Sequence, residues 1–454
     1  MAKYQKYAEY QDSSIDWMGA IPKEWSISRL KYIFTIRKRI AGTLGFDVLS
    51  VTQRGIKVKD TESGDGQLSM DYSKYQLVYK GDFAMNHMDL LTGYVDISKF
   101  EGVTSPDYRV FMIDNLKKFN SQYYLYLLQM GYKQKLFFHL GQGSSHLGRW
   151  RLPTEAFNEL EYPIPSLNEQ IQIANFLDYE TAKIDSLIVK QEKLIELLKE
   201  KRQAVISHAV TKGLNPNVPM KDSGVEWLGD VPKHWKISHL KYIASIYGRI
   251  GFRGYTVDDI VDEGEGALVL SPSNIIGDRF SLEKRTYLSW KKYYESPEIM
   301  VNNNDILLVK TGSTFGKSTI ILKKNEPMTI NPQMALIKGV SIDPRFLTYL
   351  FNSNFIKGCI EVSNTGSGMP TMTQENINNF IILIPTLGED KLIADFLDRE
   401  VDQIELIIKK AESAIQLMQE RRTALISSAV TGKIDVRNWQ NPKNNNEAKT
   451  ELNA

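Results

Sequence analysis

Residues 166–213 read SLNEQIQIANFLDYETAKIDSLIVKQEKLIELLKEKRQAVISHAVTKG, with no Gly or Pro before the final residue. Apolar side chains recur at two positions of a seven-residue repeat, and Glu and Lys fill the spaces between them. This spacing is typical of an α-helix with one apolar stripe. The sequence therefore predicts a single helix of about forty residues whose stripe requires a partner.

A second copy of the same pattern, offset by 220 residues, supplies that partner. The Phe-Leu-Asp triplet at 176–178 returns at 396–398, and the Ala-Val-Thr ending at 209–211 returns at 429–431. Internal repetition of this kind indicates a duplicated architecture. The residues expected to pack the two helices against each other are Leu177, Ile184, Leu187, Leu194, Leu198 and Val205 in the first copy and Leu397, Ile404, Ile407, Met418 and Leu425 in the second.

Each copy also begins with a shared segment. Trp-Met-Gly at 17–19 and Trp25 return 210 residues later as Trp-Leu-Gly at 227–229 and Trp235. The offset thus rises from 210 to 220 between the opening and the helix, so the second copy carries ten additional residues there. Each repeat therefore starts with this segment and ends with a long helix.

Between these two landmarks, short runs of β-type residues alternate with Gly, Asn, Asp and Pro, and helical spacing appears at 122–140 and 344–362. We therefore expect an α+β fold, in which two mixed α/β domains are separated by two long antiparallel, coiled-coil-like helices and related by a pseudo-two-fold axis. The first residues are expected to form a loose arm. The expected segments are a first domain at 1–165, a helix at 166–213, a second domain at 214–385, a helix at 386–432 and a disordered tail at 433–454.

The composition excludes several classes of protein. With 454 residues, 42% of them hydrophobic and 24% charged, the chain is typical of a globular protein of two or three domains. A single cysteine, Cys359, excludes an internal disulfide and a thiolate metal cluster and fits the reducing cytoplasm. No apolar run reaches the length of a membrane span, and the six His residues lack the spacing of metal ligands. The net charge of +2 neither favours nor excludes nucleic acid.

With this layout, three motifs resemble those of the specificity subunit of type I restriction-modification systems. The motifs are the repeated Trp-x-Gly…Pro…Trp opening, the helix entry Ile-Pro-Ser-Leu…Phe-Leu-Asp at 164–178, and the Lys-Arg…Ala-Val-Thr exit at 201–211. The resemblance covers nearly the whole chain. One departure is Asp390, which stands where the family has Gln.

The resemblance implies two target-recognition domains, each reading one half of a bipartite, asymmetric double-stranded DNA sequence. The paired helices would separate the domains. Two modification subunits would supply adenine methylation with S-adenosylmethionine, and two restriction subunits would supply translocation and cleavage with ATP and Mg. The chain itself would be a non-catalytic, cytoplasmic reader that binds no cofactor.

A loop rich in Gly and Ser precedes each long helix, and it resembles the DNA-facing loop of the family in position. Arg, Gln and Asn can hydrogen-bond to base edges, and glycines let the backbone approach a duplex. Loops after the equivalent strands near 49–53 and 270–274 form a second candidate set, with a solvated surface turn as the alternative reading of both sets. The candidates are Ser144, Ser145, His146, Arg149, Arg151, Ser367, Thr371 and Thr373 in the first set and Gln53, Arg54, Ser273 and Asn274 in the second.

The segment Gly-Ser-Thr-Phe-Gly-Lys-Ser at 312–318 resembles a phosphate-binding loop, but three residues instead of four separate its glycines. The favoured interpretation of this segment is a glycine turn between two strands. Lys310 and Lys317 remain candidates for contacts with DNA phosphates, as do the run at 37–39 and the pair Arg249 and Arg253.

Three alternatives stay open at this point. The same architecture can serve a methylation-only or related restriction system. The loop at 312–318 can belong to an enzyme acting on nucleotides, and the long helices can belong to a coiled-coil scaffold without DNA readout. If the chain reads DNA, two helices of roughly 60 Å would act as a ruler that fixes the spacer between half-sites.

Overall fold

A computed structural model of the chain describes residues 4–60, 72–143, 150–226, 228–249, 251–363 and 371–442. The chain divides into two units, one formed by residues 1–191 with 413–454 and the other by residues 192–412. The division cuts through both long helices. Each unit therefore contains one α/β domain together with part of each helix.

The first unit has mostly short antiparallel strands and single 3-10 turns at Leu30–Tyr32 and Phe138–Leu140. Its strands are β1 (Tyr10–Asp12), β2 (Ala20–Pro22), β3 (Ser26–Arg29), β4 (Phe34–Arg37), β5 (Leu49–Thr52), β6 (Gly55–Val58), β7 (Gln76–Val78), β8 (Phe83–Met85), β9 (Val95–Ile97), β10 (Gly102–Thr104), β11 (Arg109–Ile113) and β12 (Glu161–Ile164). Its helices are α1 (Ser121–Lys133), α2 (Thr154–Glu159) and the beginning of α3 (Leu167–Lys212).

The second unit repeats this succession. Its strands are β13 (Met220–Asp222), β14 (Asp230–Pro232), β15 (Lys236–His239), β16 (Ser245–Gly248), β17 (Ile260–Val261), β18 (Gly266–Leu270), β19 (Ile275–Ile276), β20 (Arg279–Phe280), β21 (Tyr287–Ser289), β22 (Ile306–Val309), β23 (Ser318–Ile320), β24 (Met328–Ile330), β25 (Met334–Lys338) and β26 (Ile381–Ile384). Its helices are α4 (Trp290–Tyr294), α5 (Pro344–Phe351), α6 (Asn354–Ser363), α7 (Gln374–Asn378) and the beginning of α8 (Glu389–Val430). The end of α3 also lies in this unit, and the end of α8 lies in the first unit. Its 3-10 turns are Leu240–Tyr242, Gly251–Arg253, Val257–Asp259, Pro272–Asn274 and Pro297–Ile299.

The strand order confirms the predicted duplication. A four-stranded antiparallel sheet of order β4-β11-β8-β9 recurs in the second unit as β16-β25-β22-β23. The ribbon of β12 with β3 recurs as β15 with β26, and the hairpin of β1 with β2 recurs as β13 with β14. The second unit adds a mixed sheet of order β17-β21-β18-β24, in which β18 and β24 run parallel. The two repeats thus share the hairpin, the ribbon and the four-stranded sheet. They differ in the remaining strands, where the second unit has the mixed sheet.

Aromatic side chains fill the core of the first domain. The ring centroids of Phe34 and Phe111 lie 4.9 Å apart edge to face, and those of Phe83 and Phe111 lie 5.2 Å apart in a stacked arrangement. Such pairs stabilise a core beyond the area that they bury. The sheet faces that carry these rings pack against α1, so the domain core is a sheet covered by a helix.

Both predicted long helices are present, and they run antiparallel. In the first unit, Gln172 donates to the Trp439 carbonyl oxygen at 3.2 Å, while farther along α3 Asp185 accepts from Arg422 at 2.8 Å. The partner residue number falls as the α3 number rises. At the start of α3, the Glu169 backbone N–H donates to Ser166 Oγ at 3.3 Å, which satisfies one of the free donors of the first turn.

Burial differs between the two heptad positions that are predicted to pack the long helices against each other. Ile184, Ile404 and Leu425 are buried, and Leu177 and Leu397 are buried against their own domains. Leu198, Val205 and Met418 are half-buried. In contrast, the residues at the second heptad position, three residues after Ile184, Gln191 and Ile404, are exposed: Leu187 at 43%, Leu194 at 39% and Ile407 at 44%.

The residues one position farther along the chain are less exposed. Ile188, Ile195, Ile408 and Ile415 are all half-buried, and Ile188 packs against the core of the first unit together with Met418. The sequence carries apolar residues at both +3 and +4, so periodicity alone did not distinguish them. The direction from which the partner helix approaches decides which row is covered.

Equivalent hydrogen bonds dock each domain on its helix. Tyr126 of α1 donates its hydroxyl to Asp178 Oδ1 at 2.7 Å, and Tyr349 of α5 donates to Asp398 Oδ1 at 2.7 Å. These carboxylates end the two Phe-Leu-Asp triplets. The repeated triplet thus has a structural explanation, because its last residue accepts a charge-assisted hydrogen bond from the domain.

The departure at Asp390 has an explanation of the same kind. The backbone N–H of Asn120 donates to Gln170 Oε1 at 2.8 Å, and that of Asp343 donates to Asp390 Oδ2 at 2.7 Å. Both side chains offer an oxygen to the residue that precedes a domain helix. An Asp therefore replaces a Gln here without loss of the contact.

The two chain ends contradict the expectations for them. Ile434 and Val436, assigned to a disordered tail, are 3% and 2% exposed. The Asp435 N–H donates to the Gln5 carbonyl oxygen at 2.8 Å, and Tyr7 in the supposed loose arm is buried. Residues 433–442 are therefore folded; their short alternating pattern lacks the helical period, and burial comes from the opposite end of the chain. Residues 443–454 lie outside the described residues.

Candidate nucleic-acid interface

Four loops of the second unit meet at the end of its central sheet. The Asn331 N–H donates to the Leu270 carbonyl oxygen at 2.8 Å, and the Lys310 N–H donates to the Gln333 carbonyl oxygen at 2.9 Å. The Met372 N–H then donates to the Lys310 carbonyl oxygen at 2.8 Å. We call residues 271–274, 310–317, 331–333 and 371–373 the second strand-end rim.

The first unit has an equivalent arrangement. The Leu152 N–H donates to the His87 carbonyl oxygen at 2.9 Å, and Gln53 donates to the Thr92 carbonyl oxygen at 3.5 Å. Thr104 Oγ1 donates to the Leu49 carbonyl oxygen at 3.1 Å, which brings the turn after β10 alongside β5. We call residues 50–55, 86–94, 105–107, 141–143 and 150–152 the first strand-end rim.

Most of the described candidates belong to these rims. Gln53 and Arg54 are exposed at the tip of the β5–β6 hairpin, which is closed by a 2.8 Å hydrogen bond from Thr52 Oγ1 to the Gly55 carbonyl oxygen. Arg151 exchanges backbone hydrogen bonds of 2.8 and 3.0 Å with Gln142, so it stands at the base of the Gly- and Ser-rich loop.

In the second rim, Ser273 and Lys317 are exposed, and Thr371 forms an antiparallel bridge with Thr311 beside Lys310. Burial lowers the pKa of Lys310. The structure thus brings together residues from loops distant in sequence. Ser144, Ser145, His146, Arg149 and Ser367 lie outside the described residues.

Two candidates, Asn274 and Thr373, form hydrogen bonds within the domain and have a structural role. Asn274 is 2% exposed, and its Nδ2 donates to the carbonyl oxygens of Ser281 at 3.0 Å and Lys284 at 2.8 Å. Thr373 caps α7 by accepting the Asn376 N–H at 3.1 Å. Asn274 is therefore withdrawn as a base-contacting residue, because its amide is saturated inside the domain.

Arg249 also turns inward. Its Nε donates to the Ile330 carbonyl oxygen at 3.0 Å, its Nη2 donates to Thr329 Oγ1 at 3.0 Å, and the residue is 4% exposed. The expected phosphate contact is therefore wrong for this residue. In the run at 37–39, Arg37 pairs with Asp114 at 2.8 Å and Arg39 pairs with Asp82 at 2.5 Å.

The segment at 312–318 is a loop between β22 and β23 rather than a phosphate cradle. The N–H groups of Phe315, Gly316 and Lys317 donate to the carbonyl oxygens of Gly312, Val309 and Thr314 at 3.0, 2.9 and 3.2 Å. A phosphate-binding loop needs such amides directed at the ligand. The nucleotide-enzyme alternative therefore loses its structural basis at this loop.

Two buried basic side chains, His87 within the first rim and Arg109 next to it, support the loops. Burial, with Arg109 and Arg151 nearby, lowers the pKa of His87 to about 3. Burial lowers the pKa of Arg109 to about 10, and its Nη2 donates to the Leu152 carbonyl oxygen at 3.1 Å. His87 is therefore neutral at physiological pH, and Arg109 holds the base of the loop.

Sequence reasoning missed two exposed turn residues, Asp107 and Gln333. They occupy equivalent positions in the turns Ser-Pro-Asp at 105–107 and Asn-Pro-Gln at 331–333. The alignment of these two triplets was the available signal. Neither triplet contains a basic residue or stands in a Gly-rich loop, so the local sequence does not indicate a contact with bases.

No helix among the described residues combines the length and apolar character needed to cross a membrane. Within the same ranges, no three His, Cys, Asp or Glu side chains are grouped as metal ligands.

Comparison with known proteins agrees with this geometry. The model of the type I restriction modification DNA specificity domain matches residues 22–197 and 281–416. The putative type I restriction enzyme MjaX specificity subunit of Methanocaldococcus jannaschii is 24% identical over 440 residues, covering 92% of this chain and 96% of that protein. The EcoKI specificity subunit of Escherichia coli is 22% identical over 288 residues, covering 62% of this chain and 59% of that protein.

Solved structures show the same fold. A chain from a study of complex assembly and conformational transition of the type I R-M system superposes with a TM-score of 0.69 at 13% identity, covering 90% of this chain and 98% of that chain. The HsdS subunit from Thermoanaerobacter tengcongensis superposes with a TM-score of 0.53 at 14% identity, covering 91% of this chain and 98% of that chain. With one match in each repeat, the resemblance seen in the sequence is confirmed, and the chain belongs to the type I restriction-modification DNA specificity family.

Proposed function

We propose that each unit reads one half of a bipartite, asymmetric target in double-stranded DNA. The observation that carries the proposal is the pair of strand-end rims, which use the same strands but unlike side chains. His87 in the first rim corresponds to Lys310 in the second, because their carbonyl oxygens accept the equivalent N–H groups of Leu152 and Met372. This correspondence aligns the two rims, whose exposed side chains differ: Gln53 and Arg54 in the first, and Ser273 and Lys317 in the second. Equivalent frames with different exposed side chains suit two different half-sites.

The chain would act as a reader without catalytic chemistry of its own. Two modification subunits, using S-adenosylmethionine, would methylate adenines that are flipped into their own pockets. Two restriction subunits, using ATP and Mg, would translocate and cut the DNA. A system that carries only modification subunits would use this chain in the same way, and the neighbouring genes would separate the two cases.

The test is a map of methylated adenines in host DNA when the chain is co-expressed with its modification subunit. A two-part motif that requires the chain supports the proposal. Replacing residues 16–165 by another recognition domain should then alter one half of the motif only. Methylation that ignores the chain, with the modification subunit active, would contradict the proposal and favour the scaffold alternative.

A further inference from the structure

The two exposed turn residues share one local geometry. In the first unit the Asp107 N–H donates to Ser105 Oγ at 3.3 Å, and in the second the Gln333 N–H donates to Asn331 Oδ1 at 3.0 Å. Both turns have proline in the middle, which restricts the backbone. The side chains of Asp107 and Gln333 therefore project from equivalent, stiff positions.

Buried side chains hold each turn from beneath. In the first unit, Gln76 is 4% exposed, and its Nε2 donates to the carbonyl oxygens of Pro106 at 2.9 Å and Tyr108 at 2.7 Å. In the second, buried Arg249 donates to the Ile330 carbonyl oxygen at 3.0 Å, directly before the turn. Such support is what a recognition residue needs, since a fixed backbone lowers the entropy cost of contact.

The turns lie within the strand-end rims already described. Each one precedes an inner strand of the four-stranded sheet, β11 or β25. The Gln333 carbonyl oxygen accepts the Lys310 N–H, and Asn331 Nδ2 donates to Gln333 Oε1 at 3.3 Å. Facing this amide is Gly312, where an added Cβ would lie 3.9 Å from Gln333 Nε2. The glycine leaves the amide open on that side.

We propose that Gln333 reads an adenine and Asp107 reads a cytosine, each in the half-site of its own domain. A glutamine amide both donates and accepts, which matches the N7 and amino edge of adenine in the major groove. An aspartate only accepts, which matches the amino group of cytosine. The inference rests on the proposed function and names two of its specificity-determining residues.

The experiment compares adenine-methylation motifs for the full chain and its variants, each co-expressed with the modification subunit. The variants are Gln333→Ala and Asp107→Ala. Matched controls are Asn325→Ala and Glu101→Ala, because these exposed residues precede β24 and β10, at the ends opposite to the two turns. Thermal unfolding of each purified chain verifies that it is folded.

Gln333→Ala should reduce the preference for adenine at one position of one half-site by about 5- to 150-fold, the range expected for a paired base contact. Asp107→Ala should relax one position of the other half only, and both controls should keep the original motif. An unchanged motif in either turn variant, or equal changes in both halves, would overturn the inference.

If Gln333→Ala abolishes methylation, Gln333→Glu decides the matter, because glutamate keeps the shape but loses the donor. A retained adenine preference in that variant overturns the inference, and a lost one supports it. Failure of the proposed function would look different, since the unaltered chain would then produce no two-part motif at all.

Discussion

Arg422 Nε donates to Asp185 Oδ1 at 2.8 Å between the two long helices of the first unit. The same contact recurs in the second unit, where Arg202 Nη2 lies 3.5 Å from Glu405 Oε1. Arg422 follows Arg202 by 220 residues, and Glu405 follows Asp185 by the same offset. In the first unit α8 supplies the arginine and α3 the carboxylate, and in the second unit these roles are reversed. The repeated contact is therefore part of the internal duplication.

The two arginines should differ in their contribution to stability. The two arginine side chains are similarly buried, at 18% and 22% exposed, but their partners differ. Arg202 pairs with Asp278 and Glu405, whose side chains are 21% and 22% exposed, whereas Arg422 pairs with Asp185, whose side chain is 50% exposed. Arg422→Ala should cost less than about 1 kcal/mol, as expected for a solvated pair. Arg202→Ala should cost about 1–3 kcal/mol, because a largely buried charged group loses its partner. Thermal unfolding of both variants measures the loss of unfolding free energy. Equal losses in the two variants would contradict the predicted difference between the arginines.

The long helices should set the spacer of the DNA target. Inserting one heptad after Gln191 and another after Glu412 lengthens both helices by about 10 Å, which corresponds to about three base pairs. The methylation motif should keep both halves while the spacer grows. The same heptad added after Ala454 serves as the control. A spacer that stays constant when the helices are lengthened argues against the ruler hypothesis.

His87 should make the first unit sensitive to acid. The folded chain resists protonating this histidine until about pH 3, whereas an unfolded histidine takes up a proton near its ordinary pKa of about 6.5. The unfolded state therefore binds more protons below that pH, and stability falls as pH decreases from about 6.5 toward 3.

A His87→Leu variant isolates that contribution. Between pH 7.5 and 5 it should lose roughly 1–2 kcal/mol less unfolding free energy than the unaltered chain. Urea unfolding at the two pH values measures the difference, with exposed His139→Leu in the same unit as the control. Parallel losses in the His87→Leu variant and the unaltered chain would refute this account.

Lys317 should contribute to affinity without changing the target. It is exposed on the second strand-end rim, and a contact with one phosphate contributes electrostatically through the release of a counterion. Lys317→Ala should therefore weaken DNA binding and reduce the slope of log K against log salt by about 0.9. Binding is measured across a salt series with the complete complex. Lys323→Ala, an exposed lysine beyond the other end of β23, is the control, and an altered motif in Lys317→Ala would indicate base readout instead.

Much of the architecture was accessible in the sequence because it is carried by local periodicity and by repetition. The two long helices, the duplication and the divergence of the middle of each repeat all follow from spacing along the chain. The family resemblance depended on the same motifs. The roles of those motifs were not visible, and the carboxylate of Asp178 became understandable only when Tyr126 was found 2.7 Å away.

The tertiary structure decided what depends on neighbours distant in the chain. The sequence of α3 offers apolar rows at both Leu187 and Ile188, and only the approach of α8 covers the second one. Asn274 resembled a base reader until its amide was found bonded to the carbonyl oxygens of Ser281 and Lys284. Helical and strand tendencies are set by nearby residues, whereas burial and hydrogen-bond satisfaction are set by whichever segments fold against them.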